Sequence, residues 1–266
     1  MKLNFSSITL ITSIFTLSSF NVSANGLTDL QSSLIKLTGN TPISAVVESA
    51  YTEKRGKKKK QKTRKGLIQV NLTEDNQGLK LIYSNETIKK LELEAEQKEQ
   101  DEDANTPTLN AVNGVGVAEM SSMLSAAPNL LRTLKKATFI NEEIVTHNEV
   151  DVRQLNFSLP LEAIIDNKEV HEYVDEFQSE FSVLINKSGV PIESSITFTG
   201  SGSAYIFFSM DLTQTNRFTY KLINNRLVNI KKTFQSKRSS TWGDTESEGY
   251  KILVPQVENS VLTALN

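Results

Sequence analysis

The two histidines and the carboxylates around them are the first residues to consider for metal or acid–base chemistry. His147 lies in NEEIVTHNEV and His171 lies in NKEVHEYVDEF. Neither segment has the HExxH spacing that places two histidines on one helical face, and a catalytic zinc ion normally has three protein ligands. Cysteine is absent, which excludes thiolate ligands, a disulfide framework and a Cys nucleophile. The sequence therefore predicts no metal site.

Serine and glycine motifs give no stronger signal for catalysis. GSGSAY at 200–205 lacks the G-x-S-x-G pattern, and a strand pattern follows it where a nucleophile elbow needs a helix. NGVGVAE at 113–119 holds half of a dinucleotide fingerprint, without the third glycine and without a surrounding βαβ unit. The carboxylate clusters EQDED and EEI are in highly polar surroundings, where a raised pKa is not expected. We predict that the protein is not an enzyme and needs no cofactor.

A basic run carries the densest charge in the chain. TEKRGKKKKQKTRKG, residues 52–66, has nine basic side chains in the twelve positions from Lys54 to Lys65, in a chain of formal net charge −2. Strand patterns on both sides make the run the loop of a hairpin, and three interpretations remain open. Charge at a hairpin tip is readily solvated and discourages edge pairing. The run also suits an anionic partner, namely phospholipid head groups, lipopolysaccharide or an acidic protein face. Lastly, it can pair with the acidic segment Glu92 to Asp103.

If the run is a docking surface, its tip is expected to be mobile and exposed and to hold the protein near anionic membranes. The basic residues predicted to make the contact are Lys57, Lys58, Lys59, Lys60, Lys62, Arg64 and Lys65.

The N-terminus predicts export. Lys2 is followed by the apolar stretch SSITLITSIFTLSSF, and Asn21-Val22-Ser23-Ala24 ends in a small residue, which is typical of a signal peptide cut after Ala24. We therefore expect residues 1–24 to be the signal peptide and the mature chain to be soluble and periplasmic, with secretion as the less favoured destination. Export makes nucleic acid an unsuitable partner.

The rest of the chain alternates between two hydrophobic periods. LTDLQSSLIKL places leucines at helical spacing, and ISAVVESAYTEK, GLIQVNLTED and GLKLIYS then follow as strands. Residues 91–110 begin as a possible strand, and we expect residues 97–113 to form a mobile acidic loop. VAEMSSMLSAAPNLLRTLKKA predicts two short helices in tandem, because Pro128 suits a first turn better than a helix interior.

From Val150 onward the strand period dominates, with turn signals at NKSG and at Asn224-Asn225 and a final helical turn or two in VENSVLTAL. The total is about nine or ten short strands, which pair antiparallel when tight turns join them. We predict one α+β domain over residues 25–266, built on a strongly curved antiparallel sheet. This sheet is expected to be an unclosed half-barrel with helices packed on its concave side.

Large apolar residues on the predicted sheet and helices allow two interpretations. They form either an ordinary packed core or the wall of a partly open cavity for acyl chains, since the same residue types serve both. The candidate ligand-binding residues are Met120, Met123, Leu124, Phe181, Phe198, Phe208 and Phe218.

The order of elements resembles the periplasmic lipoprotein-carrier superfamily, the LolA/LolB-like proteins. The likeness is carried by LTDLQSSLIKL, the hairpin from Ile43 to Thr73, and the segments FSVLINKSGVPIESSITFTG and FTYKLINNRLVNIKKTF. The resemblance implies an unclosed barrel whose helical lid shields acyl chains from water, and it implies no catalysis. No ligand residue is carried over from the family.

Two functional hypotheses follow. The first is a non-enzymatic periplasmic protein, expected to be a monomer, that carries a lipid, a lipoprotein acyl chain or another apolar ligand in the sheet cavity. The second is an exported interaction or scaffold protein with a solid core, acting through charged loops such as SKRSSTWGDTESEG around Trp242.

Overall fold

The computed structural model describes residues 25–57, 60–204 and 208–256, with the side chains of residues 25, 204 and 208 outside the description. Within these ranges the chain is α+β, with ten strands in one antiparallel sheet. The predicted signal peptide, Lys58, Lys59 and the C-terminal segment VENSVLTAL lie outside the described residues.

The strands are β1 Ile43–Arg55, β2 Lys62–Asp75, β3 Gly78–Ile82, β4 Thr138–His147, β5 Val150–Ser158, β6 Val174–Ile185, β7 Pro191–Ala204, β8 Phe208–Ile223, β9 Arg226–Ser240 and β10 Thr245–Pro255. The helices are α1 Asn25–Lys36, α2 Asn85–Gln100, α3 Pro107–Ala111, α4 Val117–Leu124, α5 Ala126–Lys136, α6 Leu161–Ile164 and α7 Lys168–His171, with a 3-10 turn at Val112–Val115.

The strand order across the sheet is β3-β2-β1-β10-β9-β8-β7-β6-β5-β4, and every pair is antiparallel. Pairing of β1 with β10 brings the first and last of the described strands together in the middle of the sheet. The described pairings leave β3 and β4 as the two edges, so the sheet is not closed into a barrel. All other neighbours are consecutive in sequence, and short turns join them except between β5 and β6, where the connection contains α6 and α7.

Alternation along the strands separates a helix-covered face from an open face. On β1 and β2 the buried positions include Val47, Val70 and Leu72, and Val47 is paired with both Val70 and Leu253. Since side chains alternate across a strand, these residues share one face. Met120, Met123 and Leu124 of α4 belong to the same cluster. In a second cluster, Leu30 and Leu34 of α1 and Leu130 and Leu134 of α5 pack against β5 and β6.

Arg226, at the start of β9, connects four separate parts of the chain. Its side chain is 4 % exposed. The guanidinium donates to the carbonyl oxygens of Leu124 at 2.7 Å and of Thr41 at 3.2 Å, and to Ser125 Oγ at 3.3 Å. Glu74, near the end of β2, supplies the opposite charge. The α4–α5 junction, the segment before β1, the end of β2 and the β8–β9 turn therefore meet at one buried cation.

The acidic segment differs from the sequence prediction. The expected strand at Leu91 and loop at 97–113 are wrong, because α2 runs through Gln100, and α3 and the 3-10 turn occupy residues 107–115. Ser84 caps α2 by accepting a hydrogen bond from the Thr87 N–H. The segment is rich in Glu, Lys, Gln, Leu and Ala, which favour helix, and the Glu86–Lys90 pair at 2.8 Å adds i,i+4 support. Helix propensity therefore prevails although α2 buries none of its residues.

Several other expectations are confirmed. Helices α4 and α5 are in tandem with Pro128 in the first turn of α5, and Asn224 and Asn225 form the β8–β9 turn with φ of 45° and 64°, which matches a type I′ hairpin. No strand was predicted between the tandem helices and Val150, where the structure has β4.

Replacing Arg226 by Met is expected to lower the free energy of unfolding by about 3–5 kcal/mol, because Glu74 is left as an uncompensated, largely buried charge and two carbonyl oxygens lose their donor. Urea denaturation monitored by circular dichroism measures the change. Arg217→Met, on the exposed side of β8, is the matched control and should stay within about 0.5 kcal/mol of the wild type. Equal losses in the two variants would contradict the role assigned to Arg226.

Candidate functional site

The predicted ligand-binding residues lie mainly inside the packed core. Met120, Met123, Leu124 and Phe181 are at most 1 % exposed, and Phe198 is 8 % exposed. The Phe181 ring packs against Phe157 with ring centroids 5.2 Å apart. The Phe208 side chain lies outside the described residues. Met120, Met123 and Leu124 belong to one core cluster and Phe181 to the other, and the grooves described below are lined by other residues.

Phe218 lies beside a charged cluster between α4 and the sheet. Lys232 Nζ is 5.8 Å from the centroid of the Phe218 ring. Glu119 of α4 accepts hydrogen bonds at 2.9 Å from both Lys232 and Lys251, on β9 and β10. Burial by itself would raise the pKa of Glu119, but the two lysines outweigh it and hold the pKa below its ordinary value. Burial lowers the pKa of Lys251, although Glu119 partly opposes this effect.

An open groove of about 900 Å³ crosses five strands on the face opposite the helix clusters. Its centre is the paired row Leu67, Ala50, Tyr250, Thr233 and Arg217, which runs from β2 to β8. Gly66 and Gly249 also line the groove, with backbone atoms only. A smaller groove of about 340 Å³ continues from it toward the hairpin tips and shares Thr52, Thr215, Gln235 and Glu248 with it.

The groove combines apolar surface with charge. Leu67 is 52 % exposed, and Ala50, Pro107 and the Tyr250 ring add apolar surface. Lys65 lies toward one end, Arg217 toward the other, and Glu248 near the middle. The Tyr250 hydroxyl donates to Glu48 at 2.7 Å, and this bond is the leading cause that raises the pKa of the phenol. Such a surface fits an elongated amphiphile better than a reacting substrate.

Sequence reasoning missed this groove. The available signal was the other half of the strand alternation: Val47, Ile68 and Val70 lie on one face, and Ala50 and Leu67 lie on the opposite one. An exposed leucine on a polar face is unremarkable by itself. Only the sheet order brings Leu67 beside Ala50 and Tyr250.

The basic run forms a hairpin as predicted, although part of it lies in the strands. Lys54 and Arg55 end β1, and Lys62 begins β2 together with Arg64 and Lys65. Lys57 and Lys60 lie between the strands and are exposed. For the part of the run that the structure describes, the predicted pairing with the acidic segment occurs at one position, where Lys62 Nζ is 2.7 Å from Asp103 Oδ1. Arg64 instead donates to Asn110 Oδ1 at 2.7 Å.

The two histidines are not grouped with other potential ligands. His147 ends β4, and its Nε2 is 3.0 Å from Nδ2 of the Asn148 side chain. His171 ends α7, and its Nε2 is 2.6 Å from the Ile165 carbonyl oxygen. Among the described residues, no group of three or more His, Cys, Asp or Glu side chains could hold a metal ion.

Comparison of the chain with family models, with curated proteins and with solved structures found no match. Within the described ranges no helix combines the length and hydropathy needed to cross a membrane.

Replacing Glu119 by Gln is expected to lower the free energy of unfolding at pH 7 by about 1–2 kcal/mol, because two half-buried lysines lose their counterion. Since the folded-state pKa of Glu119 is depressed, its contribution is complete above the unfolded pKa and is lost as the pH falls through the folded pKa. The difference in the free energy of unfolding between wild type and variant should therefore shrink below about pH 4.3. Urea denaturation at pH 7 and pH 3 measures it, with Glu96→Gln on exposed α2 as control. A gap of equal size at both pH values would contradict this assignment.

Proposed function

We propose that the protein is a non-enzymatic, exported binding protein that holds an anionic amphiphile in the groove on the open face of its sheet. The observation that carries the proposal is the size and lining of that groove, about 900 Å³ with exposed apolar residues at its centre. Ligand pockets commonly have volumes of 300–1,000 Å³ and combine apolar walls with a few polar groups.

The chemistry of the lining selects the ligand class. Leu67, Ala50 and the Tyr250 ring offer an apolar track for an acyl chain. Lys65 and Arg217 are four strand spacings apart in the sheet order, which is roughly 19 Å at about 4.8 Å per spacing. Either cation is suited to a carboxylate or phosphate head group, and Glu248 between them disfavours a second negative charge in the middle of the ligand.

We also propose a curvature for the sheet and a cellular location for the protein. We take the sheet to be an unclosed, strongly curved half-barrel, as in the LolA/LolB-like proteins, and the protein to act in the periplasm after signal-peptide removal. The ten-stranded unclosed sheet and the signal-like N-terminus support these two points. The binding position differs from the one predicted from sequence, since it lies on the face opposite Met120 and Met123.

A second candidate is an interaction protein that acts through charged loops. The observation in its favour is the solid packing between helices and sheet, where Met120, Leu124 and Phe181 are at most 1 % exposed. A groove on the open face is compatible with this role, so binding of an amphiphile separates the two candidates.

The test is titration of the purified mature protein with the fluorescent fatty acid cis-parinaric acid. Wild-type protein should bind it saturably, and Leu67→Asp should weaken binding by about tenfold or more, because it puts a carboxylate on the apolar track. Ile144→Asp is the matched control, since Ile144 is also an exposed strand aliphatic, 68 % exposed on β4, and lies outside the groove.

Lipid extraction and native mass spectrometry of the untreated protein give an independent readout. A bound amphiphile in the wild type that is reduced in Leu67→Asp supports the groove. Absence of both saturable probe binding and extractable lipid overturns the proposal and leaves the interaction protein as the better interpretation.

A further inference from the structure

The hairpin tip that carries the basic run lies directly beside the β9–β10 turn. Arg55, the last residue of β1, is paired with Thr245, the first residue of β10. The Gly56 N–H donates to the Asp244 carbonyl oxygen at 2.9 Å. The two turns therefore project from the same end of the sheet as one surface, which we call the basic end and define by Arg55, Lys57, Lys60, Lys62 and Trp242.

Two of the four cations at the basic end have no carboxylate partner among the ion pairs of the described residues. Arg55 is paired with Glu53 at 3.2 Å and Lys62 with Asp103 at 2.7 Å, so these two are partly neutralised. Lys57 and Lys60 are exposed and take part in none of the ion pairs among the described residues. On the neighbouring turn, Lys237 is paired with Glu246, and Asp244 accepts a hydrogen bond from Ser239. The carboxylates present thus match some of the cations and leave an excess of positive charge at the tip.

Trp242 gives the same surface a large aromatic side chain. It is the only tryptophan of the chain, and in the β9–β10 turn it is 83 % exposed. The turn holds its shape through the Ser240 hydroxyl, which donates to the Gly243 carbonyl oxygen at 2.8 Å, and through the Thr241 N–H, which donates to the Ser209 carbonyl oxygen at 3.2 Å. The indole is therefore presented from a fixed turn beside a cluster of solvated cations.

We propose that the basic end docks on the surface of an anionic phospholipid bilayer, with the lysines at the head groups and Trp242 in the interfacial layer. Lysine-rich segments are attracted to anionic leaflets. Tryptophan is enriched at membrane–water interfaces, where its amphipathic ring lies at the level of the head groups. An acidic protein face would use the cations but would need a shaped pocket for the indole, whereas a bilayer interface accepts it without one. This inference is independent of the groove, which lies on the open face of the sheet.

Because Trp242 is the only tryptophan, its emission reports directly on the contact. The mature protein is titrated with vesicles of 70 % phosphatidylcholine and 30 % phosphatidylglycerol, and with pure phosphatidylcholine vesicles. We expect flotation with the anionic vesicles, a blue shift of the tryptophan emission on binding, and quenching by lipids brominated on their acyl chains. Binding should weaken steeply between 0.1 M and 1 M salt, since the Debye length falls from about 10 Å to about 3 Å.

Two variants separate the charge from the ring. Replacing Lys57 and Lys60 by Ser should weaken partition to anionic vesicles at low salt by about 25-fold, at about fivefold per lysine. Trp242→Ser should weaken it by on the order of tenfold, and this loss should persist at high salt, because burial of an aromatic ring does not depend on charge. Replacing Lys135 and Lys136 of α5 by Ser removes the same charge elsewhere and is expected to leave flotation nearly unchanged.

Three results would overturn the proposal: no flotation with the anionic vesicles, equal loss of flotation in the basic-end and α5 lysine variants, or unchanged tryptophan emission when the protein is fully bound. Loss of vesicle binding with intact binding of cis-parinaric acid would reject the basic end while leaving the groove in place. Intact vesicle binding with no binding of cis-parinaric acid would reject the groove alone.

Discussion

The buried guanidinium of Arg226 is the interaction on which the arrangement of the helices over the sheet depends. It joins the α4–α5 junction, through the Leu124 carbonyl oxygen, to the segment before β1, through the Thr41 carbonyl oxygen, and to Glu74 at the end of β2. These segments are far apart in sequence, and only two of them are also joined by strand pairing, since Ile43 at the start of β1 lies opposite Glu74 of β2. A cation with several donors can satisfy them together, and a buried arginine that is fully partnered also restricts the alternatives that the core can adopt.

With the helices held in this way, the two faces of the sheet acquire different surfaces. The face under α1, α4 and α5 is filled by two hydrophobic clusters and bridged by Glu119 between Lys232 and Lys251. The opposite face keeps its Thr, Gln, Lys and Glu side chains in solvent and bears the groove around Leu67 and Tyr250. Separation of this kind lets the core be tightly packed under the helices while the groove on the other face stays open.

Charge is distributed along the sheet in a way that gives the molecule two ends of different character. The excess of cations is concentrated where the β1–β2 tip meets the β9–β10 turn. At the opposite end of β1 and β2, Arg226 and Glu74 are buried together. A charge that is buried must be paired, whereas one at a hairpin tip remains solvated and available for a partner.

The sequence by itself determined the elements whose signals are local: helix α1 from its leucine spacing, the tandem helices from Pro128, the β8–β9 turn from Asn224-Asn225 and the antiparallel strand series from its tight turns. It did not determine the helical state of the acidic segment, because a polar helix without a buried face lacks the period by which helices are recognised. Only the tertiary structure decided which strands are neighbours. It is the pairing of β1 with β10 that brings Leu67, Ala50 and Tyr250 into one groove and Trp242 beside the lysines. Such contacts join residues about 200 positions apart, as in the pairing of Ala50 with Tyr250, and no local pattern encodes them.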